Sequence, residues 1–228
     1  MDFMSTKGIE YLLCIGYLLL LIPFWMAVFP PKKRQRRAPV AARISPVAAM
    51  RSWFQVPEGF AFHPGHTWVV PEGGGVFRVG VDDFAQRLVG VPEHLMLPNV
   101  GSVVEPGETA FRLGIDGKTV GVVSPVRGEV LETNSVAKQR PATVCDDPYG
   151  DGWLMRVKVP RAKAALKGLL SGEGARAWMD GAAARLDQLM EPGLGPVLQD
   201  GGVPVSGFAR ELDPVRWHEI AQELLLSD

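Results

Sequence analysis

The chain has 228 residues, 46% of them hydrophobic, and a formal net charge of -1 from 24 Lys and Arg against 25 Asp and Glu. That size suits one globular domain with an apolar segment and an appendage, and the charge balance excludes a chain built for nucleic acid. Two cysteines, Cys14 and Cys145, make no disulfide framework and permit a reducing compartment.

From Tyr11 to Pro31 there is no charged residue, and Leu18 to Ile22 form the centre of a run long enough for a bilayer-spanning helix. Tyr11, Trp25 and Phe29 suit the two interfaces. A cleaved signal peptide is the competing reading, but its basic residues precede the apolar stretch, and here only Lys7 does. Five basic residues instead follow the run in Lys32-Lys-Arg-Gln-Arg-Arg37. The excess of Lys and Arg marks the cytoplasmic flank, so the expectation is a transmembrane helix in residues 1-31 with everything after it in the cytosol. Residues 32-56 then form a basic juxtamembrane segment and a linker containing Pro39 and Pro46.

Between Gly59 and Pro160, turn signals recur at short spacing: Pro64-Gly65, Gly73-Gly-Gly75, Pro98-Asn99, Pro106-Gly107, Asp116-Gly117 and Gly150-Asp-Gly152. Close turns predict short strands and a mainly β core. The expected strands are 67–70, 76–81, 94–97, 109–115, 118–123, 128–133 and 152–159. One helix interrupts them over 82–88, with Asp82 as N-cap and Phe84 and Leu88 spaced for burial. The strongest local signal is Asp116-Gly117, a two-residue hairpin loop that sets Ile115 against Lys118, Leu113 against Val120 and Phe111 against Val122.

Ala162 to Met190 is rich in Ala and Leu, and Gly172 and Gly174 predict a break into two helices. Residues 191–196 read as a loop. A last amphipathic helix is expected from Asp213, its N-cap, with Pro214 at the first helical position. Trp217, Ile220 and Leu224 give it an apolar face that needs the domain or a partner. The expected organisation is 57-190 for the domain with C-terminal helices and 191-228 for the tail.

Other residues carry little chemistry. His63 and His66 share a turn but lack further ligands nearby, so no metal site is expected. Asp146, Asp147 and Asp151 flank a turn of the kind these residue types favour without any ion. Cys145 has no neighbouring base in sequence, and Gly73 to Gly75 are followed by a strand, which argues against a nucleophilic centre and a phosphate loop.

Several blocks together give residues 60 to about 190 a family likeness. They are His66-Thr-Trp-Val69, Val79-Gly-Val-Asp-Asp-Phe-Ala-Gln86, Leu97-Pro-Asn-Val-Gly101, Ser124-Pro-Val-Arg-Gly-Glu-Val130, Asn134, and Asp147-Pro-Tyr-Gly-Asp-Gly-Trp-Leu154. In order and spacing they resemble the glycine cleavage system H protein, the lipoyl shuttle of glycine decarboxylation. The resemblance implies a lipoyl-domain-like barrel-sandwich hybrid, mainly β, to which the N-terminal transmembrane helix and C-terminal helices are added. It also implies a lysine at the hairpin tip within a Glu-x-x-Lys-Ala pattern. Counting back without gaps from Ser124-Pro-Val126 puts Gly117 at that lysine position, and Lys118 follows by one. Shifting the register to use Lys118 leaves Ile115 at the glutamate and Thr119 at the alanine.

Two functions follow. The first is a membrane-tethered H-protein-like module without lipoate and without catalytic activity that docks a protein partner, such as a glycine-cleavage-type or lipoate-dependent enzyme. The second is a lipoyl carrier, an aminomethyl or dithiol shuttle, modified on Lys118. One residue of slip in a strand sends a side chain to another face, so the offset separates the two.

Overall fold

The structure is a computed structural model that describes residues 8, 11, 15–17, 19, 54–189, 198–199, 203–204 and 206–226. Contacts divide the chain into two units, Met1–Ile44 and Ser45–Asp228. In the first unit Gly8, Tyr11, Ile15, Gly16, Tyr17 and Leu19 are helical. The rest of the expected span, the basic block and the linker up to residue 53 lie outside the described residues, as does the expected loop at 191–196. Among the described residues no helix is long and apolar enough to cross a membrane.

The second unit is mainly β. Its strands are Ala61–His63 (β1), Thr67–Gly73 (β2), Val76–Val81 (β3), His94–Met96 (β4), Val103–Val104 (β5), Thr109–Ile115 (β6), Lys118–Val123 (β7), Gly128–Thr133 (β8) and Met155–Lys158 (β9), with a short pair Leu198–Gln199 (β10) and Val203–Pro204 (β11). One sheet has the order β1-β2-β3-β9-β8-β5 and a second the order β4-β6-β7. Strand alternation puts Phe77, Val79 and Val81 of the first sheet and Phe111, Leu113, Ile115, Val120 and Val122 of the second into one shared core. Arg112, between two of these, is exposed.

Gly80 shows why the residue types are fixed. It pairs directly with Trp68 across β2 and β3, and the indole lies so close that a Cβ at position 80 would overlap it. The ring is held there because its Nε1–H is shared between the carbonyls of Val81 at 2.8 Å and Pro148 at 3.1 Å.

Helix Asp83–Val89 (α1) is capped by Asp82, whose Oδ1 accepts from the Ala85 N–H at 2.8 Å. Ser135–Gln139 (α2) is capped by Asn134, which also donates to the carbonyls of Asp151 and Trp153 and so fixes the next turn. Thr143–Asp146 (α3), Ala162–Leu166 (α4), Gly172–Leu189 (α5), Ala209–Leu212 (α6) and Trp217–Leu224 (α7) follow.

β1, β5, α2 and α3 are not expected from the sequence, β2 extends to Gly73, β4 ends at Met96 and α1 is shifted by one residue, and three further boundaries differ for identifiable reasons. The expected strand at 152–159 starts only at Met155, because Gly152 donates back to the Asp147 carbonyl and prolongs the turn. The expected break at Gly172 and Gly174 lies before them, and α5 runs through Gly174. Between Leu166, where α4 ends, and α5 the chain is held at Leu170, which exchanges two backbone hydrogen bonds with Phe62 of β1, at 2.7 and 2.8 Å. The last helix starts at Trp217 rather than Pro214, because Asp213 accepts from the N–H groups of Val215 and Arg216 and holds those residues as a turn.

The tail packs on the domain. Phe208, Ala209, Trp217, Ala221, Leu224 and Leu225 are buried in the same core as Phe84 and Leu88. Gly80→Ala is expected to displace the Trp68 indole, lower the unfolding free energy by about 1–3 kcal/mol and shift tryptophan emission. Urea unfolding of the purified variant followed by fluorescence checks both effects.

Candidate functional site

The hairpin of β6 and β7 turns at Asp116 and Gly117, with φ of 49° and 68°. Both values are positive, as a two-residue turn that follows strand twist requires, and Asp and Gly tolerate them where a branched side chain does not. Ile115 pairs with Lys118, Leu113 with Val120 and Phe111 with Val122. The inward face is therefore apolar up to Ile115, which is buried, while residues 116–119 are exposed. Lys118 is the only lysine of the hairpin. Although it shares a cross-strand position with Ile115, its side chain reaches solvent and makes no ion pair or hydrogen bond to a described residue.

The apex itself is engaged. Glu93, just before β4, accepts from the Asp116 N–H at 3.3 Å. The Asp116 carboxylate pairs with the Arg210 guanidinium from α6, and that guanidinium also stands 5.8 Å from the centre of the Trp217 ring. Gly207 and Phe208 donate their N–H groups to the Arg87 carbonyl at 2.7 and 3.2 Å, which satisfies the C-terminal end of α1. Arg210 lies 94 residues beyond Asp116, and no local spacing signals that the two meet.

Helix α1 is held at its other end by a buried polar group. His66, just before β2, donates from Nδ1 to Asp82 Oδ2 at 2.8 Å, and both residues are nearly inaccessible. The imidazole stacks on Phe84 at 4.0 Å and lies 4.6 Å from Trp178 of α5. Beside it, Asp83 accepts from the Gln55 N–H at 2.9 Å, and its other carboxyl oxygen lies 2.9 Å from the Tyr149 hydroxyl. That hydroxyl also lies 2.7 Å from the Gln55 carbonyl. It has one proton for two acceptors, and a protonated Asp83 resolves the conflict by donating to Tyr149 while Tyr149 donates to Gln55. Burial, and then the neighbouring Asp82, push the Asp83 carboxyl up to about 6. Burial also pushes up the Tyr149 hydroxyl.

The remaining candidates are structural. Asp147 accepts from the N–H groups of Gly150 and Asp151 and shapes its turn. Cys145 is raised to about 11 by burial and then by Asp146, far from a thiolate at neutral pH. His63 accepts from the Gly65 N–H at 3.0 Å, and burial lowers its affinity for a second proton. Among the described residues no group of three His, Cys, Asp or Glu is placed to hold a metal ion.

The family model for Glycine cleavage H-protein matches residues 60–181, more than half of the chain. The chain belongs to this family. The glycine cleavage system H protein of Alteromonas mediterranea is 40% identical over 119 residues, which cover 52% of this chain and 92% of that one. An H protein of Thermus thermophilus is 38% identical over 119 residues, 52% of this chain and 91% of the relative. Among solved structures, the crystal structure of a glycine cleavage system H protein from Mycobacterium marinum is 28% identical, with a TM-score of 0.48, covering 55% of this chain and 99% of that chain.

H proteins carry lipoate on a lysine and are carriers rather than catalysts. The family match includes the hairpin, α1 and the Asn134 turn, and it stops at residue 181, before α6 and α7. The clamp on the apex thus comes from a segment outside the matched region. Gly117, which the ungapped count from Ser124-Pro-Val126 sets against the family's lysine, has no side chain to acylate, and Lys118 follows it.

The raised Asp83 value fixes the sign of a pH effect. Stability contributed by a group raised from 3.8 to about 6 is complete below the lower value and lost as pH rises through the upper one. Relative to wild type, Asp83→Asn is therefore expected to gain about 2–3 kcal/mol between pH 4 and pH 7.5. Urea unfolding of both proteins at the two pH values measures it.

Proposed function

We propose that this H-protein-family chain works as a docking module that does not carry lipoate and is tethered to a membrane by its N-terminal run. The observation that carries the reading is the apex: Gly117 offers no amine, and Asp116 is engaged by Arg210 and Glu93 rather than left free. A carrier needs a mobile arm on a tip that enzymes can reach, and here the turn chemistry and the tail oppose both. The relatives are named for the glycine cleavage system, which makes glycine-cleavage-type or lipoate-dependent enzymes the expected class of partner.

A second reading, a lipoyl carrier modified on Lys118, is favoured by one observation: that amine is exposed and unpaired among the described residues. Intact mass decides between them. On co-expression with lipoylation enzymes and lipoate, the natural chain is expected to keep its unmodified mass, while Gly117→Lys gains the lipoyl increment in part of the population. A lipoyl increment on the natural chain that vanishes in Lys118→Arg establishes the carrier instead.

The tether is supported by the uncharged run from Tyr11 to Pro31 and by the five basic residues after it. In this reading the chain crosses the inner or cytoplasmic membrane once, with the domain in the cytosol. A reporter fused after Asp228 is expected to be active only if it is a cytosolic one. Activity of an extracytoplasmic reporter at that site reverses the orientation.

A further inference from the structure

We propose that α6 and α7 are a cover, supplied in cis, over the docking face of the hairpin. We further infer that the partner displacing them presents an amphipathic helix whose arginine or lysine takes the place of Arg210 on Asp116. The proposal rests on the docking reading and adds to it a gate and the chemistry of the partner. The cover lies where a partner has to sit: α7 is against β7, and both α6 and α7 are against α1. The Phe208 ring meets Phe84 edge-on at 6.2 Å, and the Leu225 carbonyl comes down on Gly65. Beneath the cover is an apolar floor with the Asp116 carboxylate, the one that Arg210 meets, at its edge and Glu93 beside it. The occupant that fits such a face has an apolar stripe and one cation beside it, and α6 and α7 supply both, in Phe208, Trp217 and Leu224 and in Arg210.

Two observations separate this cover from an ordinary part of the core. The Alteromonas relative is matched over 92% of its length by 119 residues of this chain, which leaves it no room for a counterpart of residues 206–226. The family's domain is therefore complete without the cover. The cover is held by buried apolar side chains and by two backbone hydrogen bonds to Arg87, but its elements are short: α6 has four residues and α7 eight. Their ion pairs to the body, Arg210 with Asp116 and Arg185 with Glu223, join partly or largely exposed side chains, a setting in which such pairs hold loosely and are screened by salt. A short peripheral element of this kind opens more readily than the central strands. A partner helix with the same stripe and charge exchanges for it without exposing the floor to water.

The test uses the full chain in detergent and, as the probe, a fluorescent peptide of residues 206–226. Hydrogen exchange is expected to be at least ten-fold faster in α6 and α7 than in β3, and Arg210→Glu is expected to speed the tail further while leaving β3 unchanged. The wild-type peptide is expected to bind the Arg210→Glu chain at least ten-fold more tightly than the wild-type chain, whose own tail competes. With Asp116→Arg the preference reverses, and the peptide carrying Arg210→Glu binds better than the wild-type peptide. The cover is overturned if the tail exchanges in step with β3 in both chains. It is equally overturned if the peptide fails to bind the opened chain, or binds regardless of the charges at 116 and 210. The mass measurement stands apart from this: a lipoylated Lys118 ends the docking reading, while peptide exchange still decides whether a cover exists.

Discussion

The two-residue turn at Asp116 and Gly117 is the constraint on which the second sheet and the site both depend. Positive φ at two successive positions selects Asp and Gly and sets the pairing of β6 with β7 residue by residue. That register sends Phe111, Leu113, Ile115, Val120 and Val122 inward to meet the first sheet. A slip of β7 by one residue would turn Val120 and Val122 away from the core. Lys118 is the first residue of the return strand, exposed beside the turn.

Helix α1 transmits this arrangement to the rest of the unit. Its N-terminal end is fixed by Asp82, which caps Ala85 and accepts from the buried His66. A buried carboxylate in that position is sustained by its full set of hydrogen bonds, and losing the imidazole would leave it uncompensated. Its C-terminal end offers the Arg87 carbonyl to Gly207 and Phe208. One short helix thus links the aromatic cluster of Phe84, His66 and Trp178 to the tail that reaches the hairpin apex. Asp83 and Tyr149 add the segment before β1, through Gln55.

Membership of the glycine cleavage H-protein family accounts for residues 60–181 and for the two-sheet architecture. The match stops before the C-terminal segment, which folds onto the hairpin apex, where Arg210 makes an ion pair with the turn residue Asp116 itself.

The sequence by itself determined the elements whose signals are local. The hairpin, β3, β8 and the cap of α1 follow from period-two alternation, an Asp-Gly loop and an N-cap aspartate, each readable within a few residues. The apolar face of Trp217 and Leu224 was equally legible, since helical spacing needs no knowledge of the partner. Tertiary structure alone decided what required distant residues to meet. Leu170, between α4 and α5, is held against β1 by two backbone hydrogen bonds with Phe62, and no residue near position 170 announces that. His66 is buried by Asp82, Phe84 and Trp178, which come from two other elements. Arg210 meets Asp116 because α6 is docked on the end of α1, and an ion pair of this kind leaves no periodic trace in the chain.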